Sequence, residues 1–372
     1  MRDLRDLIAE FKHVRSRGEV AALATVMRVV GSAYRRAGAR MLLASDGTRV
    51  GLVSGGCLEA DLVERAQPVL ATGRAITVTY DARSDEDLIF GLGLGCNGTV
   101  EVLIERVPEG PAGGHLALIG DCLRERRRLA LVTVFGTAGQ APLATRCWLL
   151  DGEPLAGDLA HESVAAEIGR HANAVLGSGR HRNVTIESTD GPLDLLVESI
   201  RPFPELWILG AGPDAQPVAR LAVELGFDVS VADHREAFAR REYFPGASRV
   251  VVCRPDRFSE TFEPDDASIV LVMSHSYAHD RAYLRTLLMR PLVYLGLLGP
   301  RQRSERILAE LAKEGIEPSR ELRARLHAPA GLDIGAETPE EIALSILSEI
   351  RAELTARSGG RLRDRNAPIH DG

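Results

Sequence analysis

Two glycine-rich loops that each carry a cysteine are the segments of this sequence best suited to chemistry. Glycine lets main-chain amides approach a ligand closely, and successive amides of such a loop can hold an anion. A cysteine thiolate beside them adds a soft, reactive group. We therefore predict an anion-binding site with a reactive thiol, and its candidate ligand-binding residues are Ser54, Gly55, Gly56 and Cys57 in the first loop and Gly95, Cys96 and Gly98 in the second.

The elements around the first loop are predicted to place its thiol at the start of a helix. A strand-like run covers residues 50–53, and a helix-like run covers residues 58–70. In that arrangement Cys57 lies in the first helical turn, where the positive end of the helix dipole stabilises a thiolate or a bound anion. Cys96 lies in a similar loop that could face it. The alternative stays open that both loops are ordinary turns with small buried cysteines.

The first 200 residues look like two copies of one pattern, and only the first copy has the cysteine loops. In the second copy, residues 156–158 stand in the region of the first loop, and the short turn at residues 188–191 replaces the second loop. Features that the copies share indicate scaffold, whereas features of one copy alone indicate a site. The matching segments are residues 22–26 and 130–134, residues 73–74 and 179–180, and residues 100–105 and 193–198.

Composition limits the classes of protein to consider. With 45% hydrophobic and 26% charged residues in 372, the chain is typical of a globular protein. The net charge of −7 gives no general attraction to nucleic acid. We find no apolar run long enough to span a bilayer and no signal sequence, which predicts a cytoplasmic protein. The five cysteines, an odd number, argue against a disulfide framework, and Cys57 and Cys96, which lie far apart without Cys-x-x-Cys spacing or a nearby histidine cluster, do not match a zinc site.

The residues after 203 alternate between strand-like and helix-like segments, which predicts a parallel, doubly wound sheet. Gly210 and Gly212 follow the first strand, and Asp233 lies about 20 residues further on, as in a dinucleotide-binding fingerprint. Ala215 stands at the third glycine position, and Pro213 removes one amide that could meet a phosphate. Two interpretations stay open, namely a nucleotide site at Gly210, Gly212 and Asp233 or a retained fold with an empty cleft.

The fold class that follows is α/β, with an internally duplicated N-terminal module and a C-terminal Rossmann-like doubly wound parallel sheet. We predict four segments along the chain. They are the first repeat with the cysteine loops at residues 1–108, a degenerate second repeat and linker at residues 109–202, the Rossmann-like domain at residues 203–356 and a disordered tail at residues 357–372.

Several longer motifs resemble those of the XdhC/CoxI family, the accessory factors of xanthine dehydrogenase and carbon monoxide dehydrogenase. The resemblance covers most of the chain. Its most specific motifs are Ser-Gly-Gly-Cys-Leu-Glu at residues 54–59 and Ile-Gly-Ala-Glu-Thr-Pro-Glu-Glu-Ile-Ala at residues 334–343. Shorter matching segments lie at residues 31–33, 38–42, 91–98, 209–212 and 294–299.

The resemblance implies a protein that binds molybdenum cofactor (molybdopterin) and protects it while a cysteine desulfurase supplies the terminal sulfur. The protein would then insert the cofactor into an apo molybdenum hydroxylase, as a non-catalytic chaperone. Because this cofactor carries a phosphate and an oxygen-rich metal, Cys57 and Cys96 become candidate contacts to molybdenum or sulfur. The resemblance also implies a homodimer.

Two other functions stay open at this point. An NAD(P)-dependent oxidoreductase would use the C-terminal domain and would need a proton donor near the nicotinamide, for which only His275 and His279 are candidates. A binding-only scaffold would dock the client enzyme and the desulfurase, and its cysteines would be structural.

Overall fold

A computed structural model describes residues 2–31, 33–81, 98–107, 114–138, 141–160, 163–260, 262 and 268–366. The chain divides into two compact units, one formed by Asp3–Pro202 and the other by Phe203–Gly372 together with the first two residues. Gly95 and Cys96, both predicted to bind a ligand, lie outside the described residues. The four predicted segment boundaries remain predictions.

The N-terminal unit begins with an antiparallel sheet whose strand order is β3-β2-β1-β5-β4. Side chains alternate along β1, so Ala22 and Ala24 pack towards α2 whereas Leu23 packs towards α1 on the opposite face. The elements are α1 (Arg2–Ser16), β1 (Ala21–Gly31), β2 (Arg40–Ala44), β3 (Arg49–Gly51), α2 (Glu59–Thr72), β4 (Ile76–Asp81) and β5 (Gly98–Val107).

A second antiparallel sheet of the same unit has the equivalent strand order, β8-β7-β6-β10-β9. Its α4 packs on one face, as α2 does on the first sheet. The repeated order confirms the predicted internal duplication. The elements are α3 (Gly114–Arg124), β6 (Leu129–Thr137), β7 (Arg146–Leu150), β8 (Ala156–Gly157), α4 (Ala165–Ser178), β9 (Arg182–Ser188) and β10 (Gly191–Ile200).

Two glycines at equivalent positions show how the sequences of the two repeats align. Gly51 and Gly157 have φ angles of +89° and +103° and end β3 and β8. A Cβ atom on Gly51 would lie 2.2 Å from the carbonyl oxygen of Arg40, and one on Gly157 would lie 2.7 Å from that of Arg146. Only glycine fits such a position. Because α2 and α4 also have 14 residues each, the repeats match without a gap from these glycines to the helix ends.

The two repeats pack against each other through matching residues. Side chains of β1, β5, β6 and β10 form one apolar cluster, to which each repeat contributes two members at corresponding positions. A second core combines α1 and α3 with both sheets. The interface therefore resembles that of a symmetric dimer, although it joins two parts of one chain. The buried members of the first cluster are Met27, Leu103, Phe135 and Leu196.

Reciprocal ion pairs cross the same interface. Arg40 Nη2 lies 2.7 Å from Glu198 Oε2, and both side chains are almost fully buried, at 6% and 1% exposure. Arg146 forms the corresponding pair with Glu105, whose side chain is 7% exposed. Each repeat thus contributes one arginine and one glutamate, which is the exchange expected of a self-complementary interface.

The C-terminal unit contains a parallel sheet with the strand order β13-β12-β11-β14-β15-β16. This is the doubly wound strand order. The chain adds β12 and β13 on one side of β11 and then returns to add β14, β15 and β16 on the other side. The predicted Rossmann-like fold is confirmed. The elements are β11 (Glu205–Leu209), α5 (Ala215–Glu224), β12 (Asp228–Asp233), β13 (Arg249–Val252), β14 (Ser268–Val272), α6 (Tyr277–Leu287), β15 (Tyr294–Leu297), α7 (Arg301–Lys313), α8 (Arg320–Ala324), β16 (Leu326–His327) and α9 (Pro339–Leu354).

Candidate functional site

Residues 53–59, which we call the cysteine turn, are organised by one buried carboxylate. Glu59 Oε1 accepts hydrogen bonds from the amides of Val53, at 3.3 Å, and Ser54, at 2.9 Å. Glu59 Oε2 accepts a hydrogen bond from the Ser54 hydroxyl. Ser54 Oγ accepts in turn from the amides of Gly56 and Leu58, each at 3.1 Å. Hydroxyl and carboxylate together hold four amides of the turn.

The charge of Glu59 depends on these donors. Burial opposes ionisation and would raise the pKa of Glu59, but hydrogen bonds from the Ser54 hydroxyl and from main-chain amides outweigh it, and the pKa is lowered. A buried carboxylate is stable in its charged form only where such donors surround it. The carboxylate and the shape of the turn therefore stabilise each other.

Cys57 lies just before α2 and not in its first turn, which corrects the sequence-based prediction. The helix begins at Glu59 with Leu58 as N-cap, and Ser54 and Glu59 bond the amides that precede it. The Cys57 side chain is half-buried, and Gly55 is exposed. Within the described part of the chain, the amides of Gly55 and Cys57 have no hydrogen-bond partner. Among the described residues, the turn therefore presents two unpaired amides and one half-buried thiol.

Gly98 is the one predicted residue of the second loop that the structure describes. It begins β5 and pairs with Gly31 at the end of β1. Tyr34, three residues further on, packs against the cysteine turn, since a Cβ atom on Gly55 would lie 3.5 Å from its ring. The predicted contact between Cys57 and Cys96 remains a prediction, because Cys96 lies outside the described residues.

The second repeat lacks the residues that form this polar network. Counted from the matching glycines Gly51 and Gly157, the positions of Ser54, Cys57 and Glu59 are occupied by Ala160, Ser163 and Ala165. The sequence pattern alone instead aligns residues 156–158 with this loop. The helix nevertheless begins at the corresponding residue, after an N-cap of similar conformation. The buried hydroxyl and carboxylate are therefore not needed to start the helix.

The other described cysteines of this unit are unsuited to the same role. Cys122 and Cys147 are both buried in apolar cores. Burial raises the pKa of the Cys122 thiol, and it raises the pKa of the Cys147 thiol to about 12. Both groups are therefore neutral at physiological pH and enclosed by side chains, so Cys57 is the candidate for contact with a ligand.

Comparisons with known proteins place this site in a family. A model of the XdhC and CoxI family matches residues 14–81, which include the cysteine turn, and a model of the XdhC Rossmann domain matches residues 206–350. A protein of Bacillus subtilis, named as a probable subunit of xanthine dehydrogenase, is 35% identical over 339 residues, covering 89% of this chain and 92% of the relative. The chain belongs to the XdhC and CoxI family.

Two further relatives agree with this assignment. The crystal structure of a protein described as a xanthine dehydrogenase from Bacillus halodurans superposes with a TM-score of 0.79, at 32% identity and over 99% of both chains. The molybdenum cofactor insertion chaperone PaoD of Escherichia coli is 24% identical over 338 residues, which cover 90% of this chain and 83% of PaoD. The XdhC and CoxI fold thus extends over both units.

The predicted dinucleotide residues of this XdhC-type chain meet at the carboxyl end of its parallel sheet. Gly210 has a φ of +120°, and a Cβ atom there would lie 2.4 Å from the carbonyl oxygen of Met273. Asp233 Oδ2 accepts from the Ala211 amide at 2.8 Å, and both carboxylate oxygens accept from Arg235. Asp233 therefore already supports the glycine loop through hydrogen bonds within the chain.

We expect Asp233 to make the C-terminal unit sensitive to acid. Burial opposes ionisation of Asp233, but hydrogen bonds from Arg235 and the Ala211 amide lower its pKa to about 2. Its folded-state pKa lies below the unfolded value of about 3.9. The ionised form therefore stabilises the fold above about pH 4, and this contribution of about 2 kcal/mol is lost as the pH falls towards 2. Urea unfolding followed by Trp207 fluorescence in a Trp148→Phe background should show that Asp233→Asn removes this pH dependence, whereas equal slopes for both proteins would contradict it.

The described residues contain neither a metal-binding cluster nor a membrane-spanning helix. No group of three or more histidine, cysteine, aspartate or glutamate side chains in that part of the chain is arranged to hold a metal ion. None of the described helices is both long and apolar enough to cross a membrane.

Proposed function

We propose that this protein binds molybdenum cofactor as a cargo at the cysteine turn and delivers it to an apo molybdenum hydroxylase of the xanthine or carbon monoxide dehydrogenase type. One observation carries the proposal. The buried network of Ser54 and Glu59 occurs only in the repeat that has Cys57, while the other repeat starts the same helix with Ala160 and Ala165. A network that the fold does not need, around an accessible thiol, indicates a binding site.

The groups that the turn offers suit this cargo. Molybdopterin carries a phosphate and an oxygen-rich metal, both of which accept hydrogen bonds from main-chain amides such as those of Gly55 and Cys57. A thiolate is a soft ligand and suits molybdenum or the terminal sulfur. In this proposal Cys57 contacts the cofactor, and Cys96 assists from the second loop. PaoD, which aligns over most of this chain, is named as an insertion chaperone for the same cofactor.

The proposal includes the partners of such a chaperone. A cysteine desulfurase supplies sulfur to the cofactor while it is bound, and the loaded protein then meets its client. We propose that this takes place in the cytoplasm and that the protein is a homodimer. It acts by holding and handing over the cofactor rather than as an enzyme.

Purification without oxygen tests the proposal. Molybdenum analysis and the fluorescence of the oxidised pterin should find cofactor on the wild-type protein. The Cys57→Ala variant should retain about a tenth as much, because one soft metal contact is lost, with a cost of about 1.4 kcal/mol. Cys253→Ala is the control, since Cys253 is a half-buried cysteine of the other unit. Wild-type cofactor content in the double variant Cys57→Ala/Cys96→Ala would contradict the proposal.

A further inference from the structure

The glycine loop of the C-terminal unit contains a carboxylate where dinucleotide-binding folds place a phosphate. In such folds the second glycine leaves room for the pyrophosphate, which lies at the N-terminus of the following helix. Here a Cβ atom on Gly212 would lie 2.6 Å from Asp214 Oδ1. The space that this glycine leaves open is therefore filled by the Asp214 side chain.

A histidine from the loop after the neighbouring strand contacts that carboxylate. His275 Nε2 lies 2.6 Å from Asp214 Oδ2, and the Asp214 side chain is only 19% exposed. His275 follows β14, the strand beside β11 at the point where the chain reverses direction across the sheet. It adopts a φ of +57°, a left-handed conformation that is uncommon for residues other than glycine. The contact thus joins both sides of the cleft where nucleotides bind in this fold.

The position suits a negative charge, and Asp214 provides one. Asp214 is the N-cap of α5, a helix of 10 residues, so its carboxylate lies at the positive end of the helix dipole. Pro213 has no amide to offer, and the Ala211 amide is bonded to Asp233. A pyrophosphate at this loop would therefore find fewer hydrogen-bond donors than in a dinucleotide-binding fold. It would also lie beside two carboxylates, those of Asp214 and Asp233, which repel its negative charge.

We infer that Asp214 is a built-in anion that excludes pyrophosphate ligands from this cleft. Neither NAD(P) nor a dinucleotide form of the molybdenum cofactor then binds at the usual position of the fold. The residues present do not fit the nicotinamide cofactor that the fold suggests, and no hydride-transfer step is assigned to His275 or His279. The inference concerns a different unit from the cysteine turn and stands whether or not that turn binds cofactor.

Nucleotide binding to the full chain tests the inference. Isothermal titration with ADP and with NADH should give no saturable binding to the wild-type protein up to about 1 mM, an affinity of about −4 kcal/mol or weaker. Asp214→Ala should bind ADP at least about tenfold more tightly, because it removes both the bulk and the charge of the carboxylate. Asp214→Asn retains the bulk and should gain less. Asp256→Ala removes an exposed carboxylate of the same unit and should change nothing.

Two results would overturn the inference. Micromolar binding of NADH or ADP to the wild-type protein would overturn the inference. So would an Asp214→Ala variant that melts at the wild-type temperature and still fails to bind ADP, because another feature would then close the cleft. If Asp214→Ala does not fold, Asp214→Asn decides, because it keeps the side-chain volume and a hydrogen-bonding group towards His275 and removes only the charge; ADP binding that stays undetectable in this variant would then overturn the inference.

Discussion

The double variant Ser54→Ala/Glu59→Ala is expected to bind molybdenum cofactor about a hundredfold more weakly than the wild-type protein while keeping its fold. Hydrogen bonds to charged groups contribute about 1.5–3 kcal/mol each, and releasing the turn would displace both the free amides and the Cys57 thiol. The loss should therefore exceed that of Cys57→Ala, which removes the thiol alone. Cofactor content after purification without oxygen and the fluorescence of the oxidised pterin measure the effect.

The second repeat explains why the fold should survive. It has alanine at both corresponding positions, Ala160 and Ala165, and still begins its helix at the same point. We expect the melting temperature to stay close to that of the wild type, and the alkylation of Cys57 by iodoacetamide to become faster as the turn loosens.

A mirrored variant is the control for this experiment. Ala160→Ser/Ala165→Glu places the same side chains in the second repeat, where no cysteine follows, and should leave cofactor content unchanged. The alkylation rate is measured without cofactor and therefore tests the positioning of Cys57 on its own. Wild-type alkylation together with wild-type cofactor content in Ser54→Ala/Glu59→Ala would show that the network has no role in binding. Faster alkylation with unchanged cofactor content would contradict the proposed cofactor site, while it would still support the positioning of Cys57 by Ser54 and Glu59.

Replacing Glu198 by alanine is expected to destabilise the N-terminal unit by about 3–5 kcal/mol, because Arg40 would remain charged and buried without its partner. The Arg40 side chain is only 6% exposed, so water cannot readily take the place of the carboxylate. Glu105→Ala should have a similar but smaller effect, since its partner Arg146 is 12% exposed. Because the two pairs occupy matching positions in the two repeats, the difference between the two losses of stability reports the difference in burial of the arginines.

Urea unfolding can isolate this unit, because one of the two tryptophans, Trp148, lies in it and the other, Trp207, lies in the C-terminal unit. The measurement follows Trp148 fluorescence in a Trp207→Phe background. Asp151→Ala is the control, since it breaks the exposed pair with Arg128 and should cost less than about 1 kcal/mol. A loss for Glu198→Ala no larger than that control would show that the interface between the repeats does not depend on the ion pair.

Much of the architecture could be predicted because it is encoded locally. Strands separated by glycine turns recur in the same order in residues 22–105 and 130–198, and the two sheets of the N-terminal unit follow that order. Alternation of strand and helix likewise predicted the parallel sheet. These features follow from backbone preferences and apolar periodicity, which neighbouring residues determine. The exception is the start of α2 at Glu59, which matches the start of α4 in the second repeat and so follows from the backbone path of the repeat rather than from Ser54 and Glu59.

The sequence by itself determined that the first repeat, and not the second, carries a thiol among glycines. Only the tertiary structure decided how polar side chains pair over long distances in the chain. Arg40 and Glu198 are 158 residues apart, and Asp214 and His275 are 61 apart. Whether a charged group finds a partner or faces solvent depends on burial and on which elements meet. Local patterns do not encode that, because the partners are brought together by packing of the whole unit.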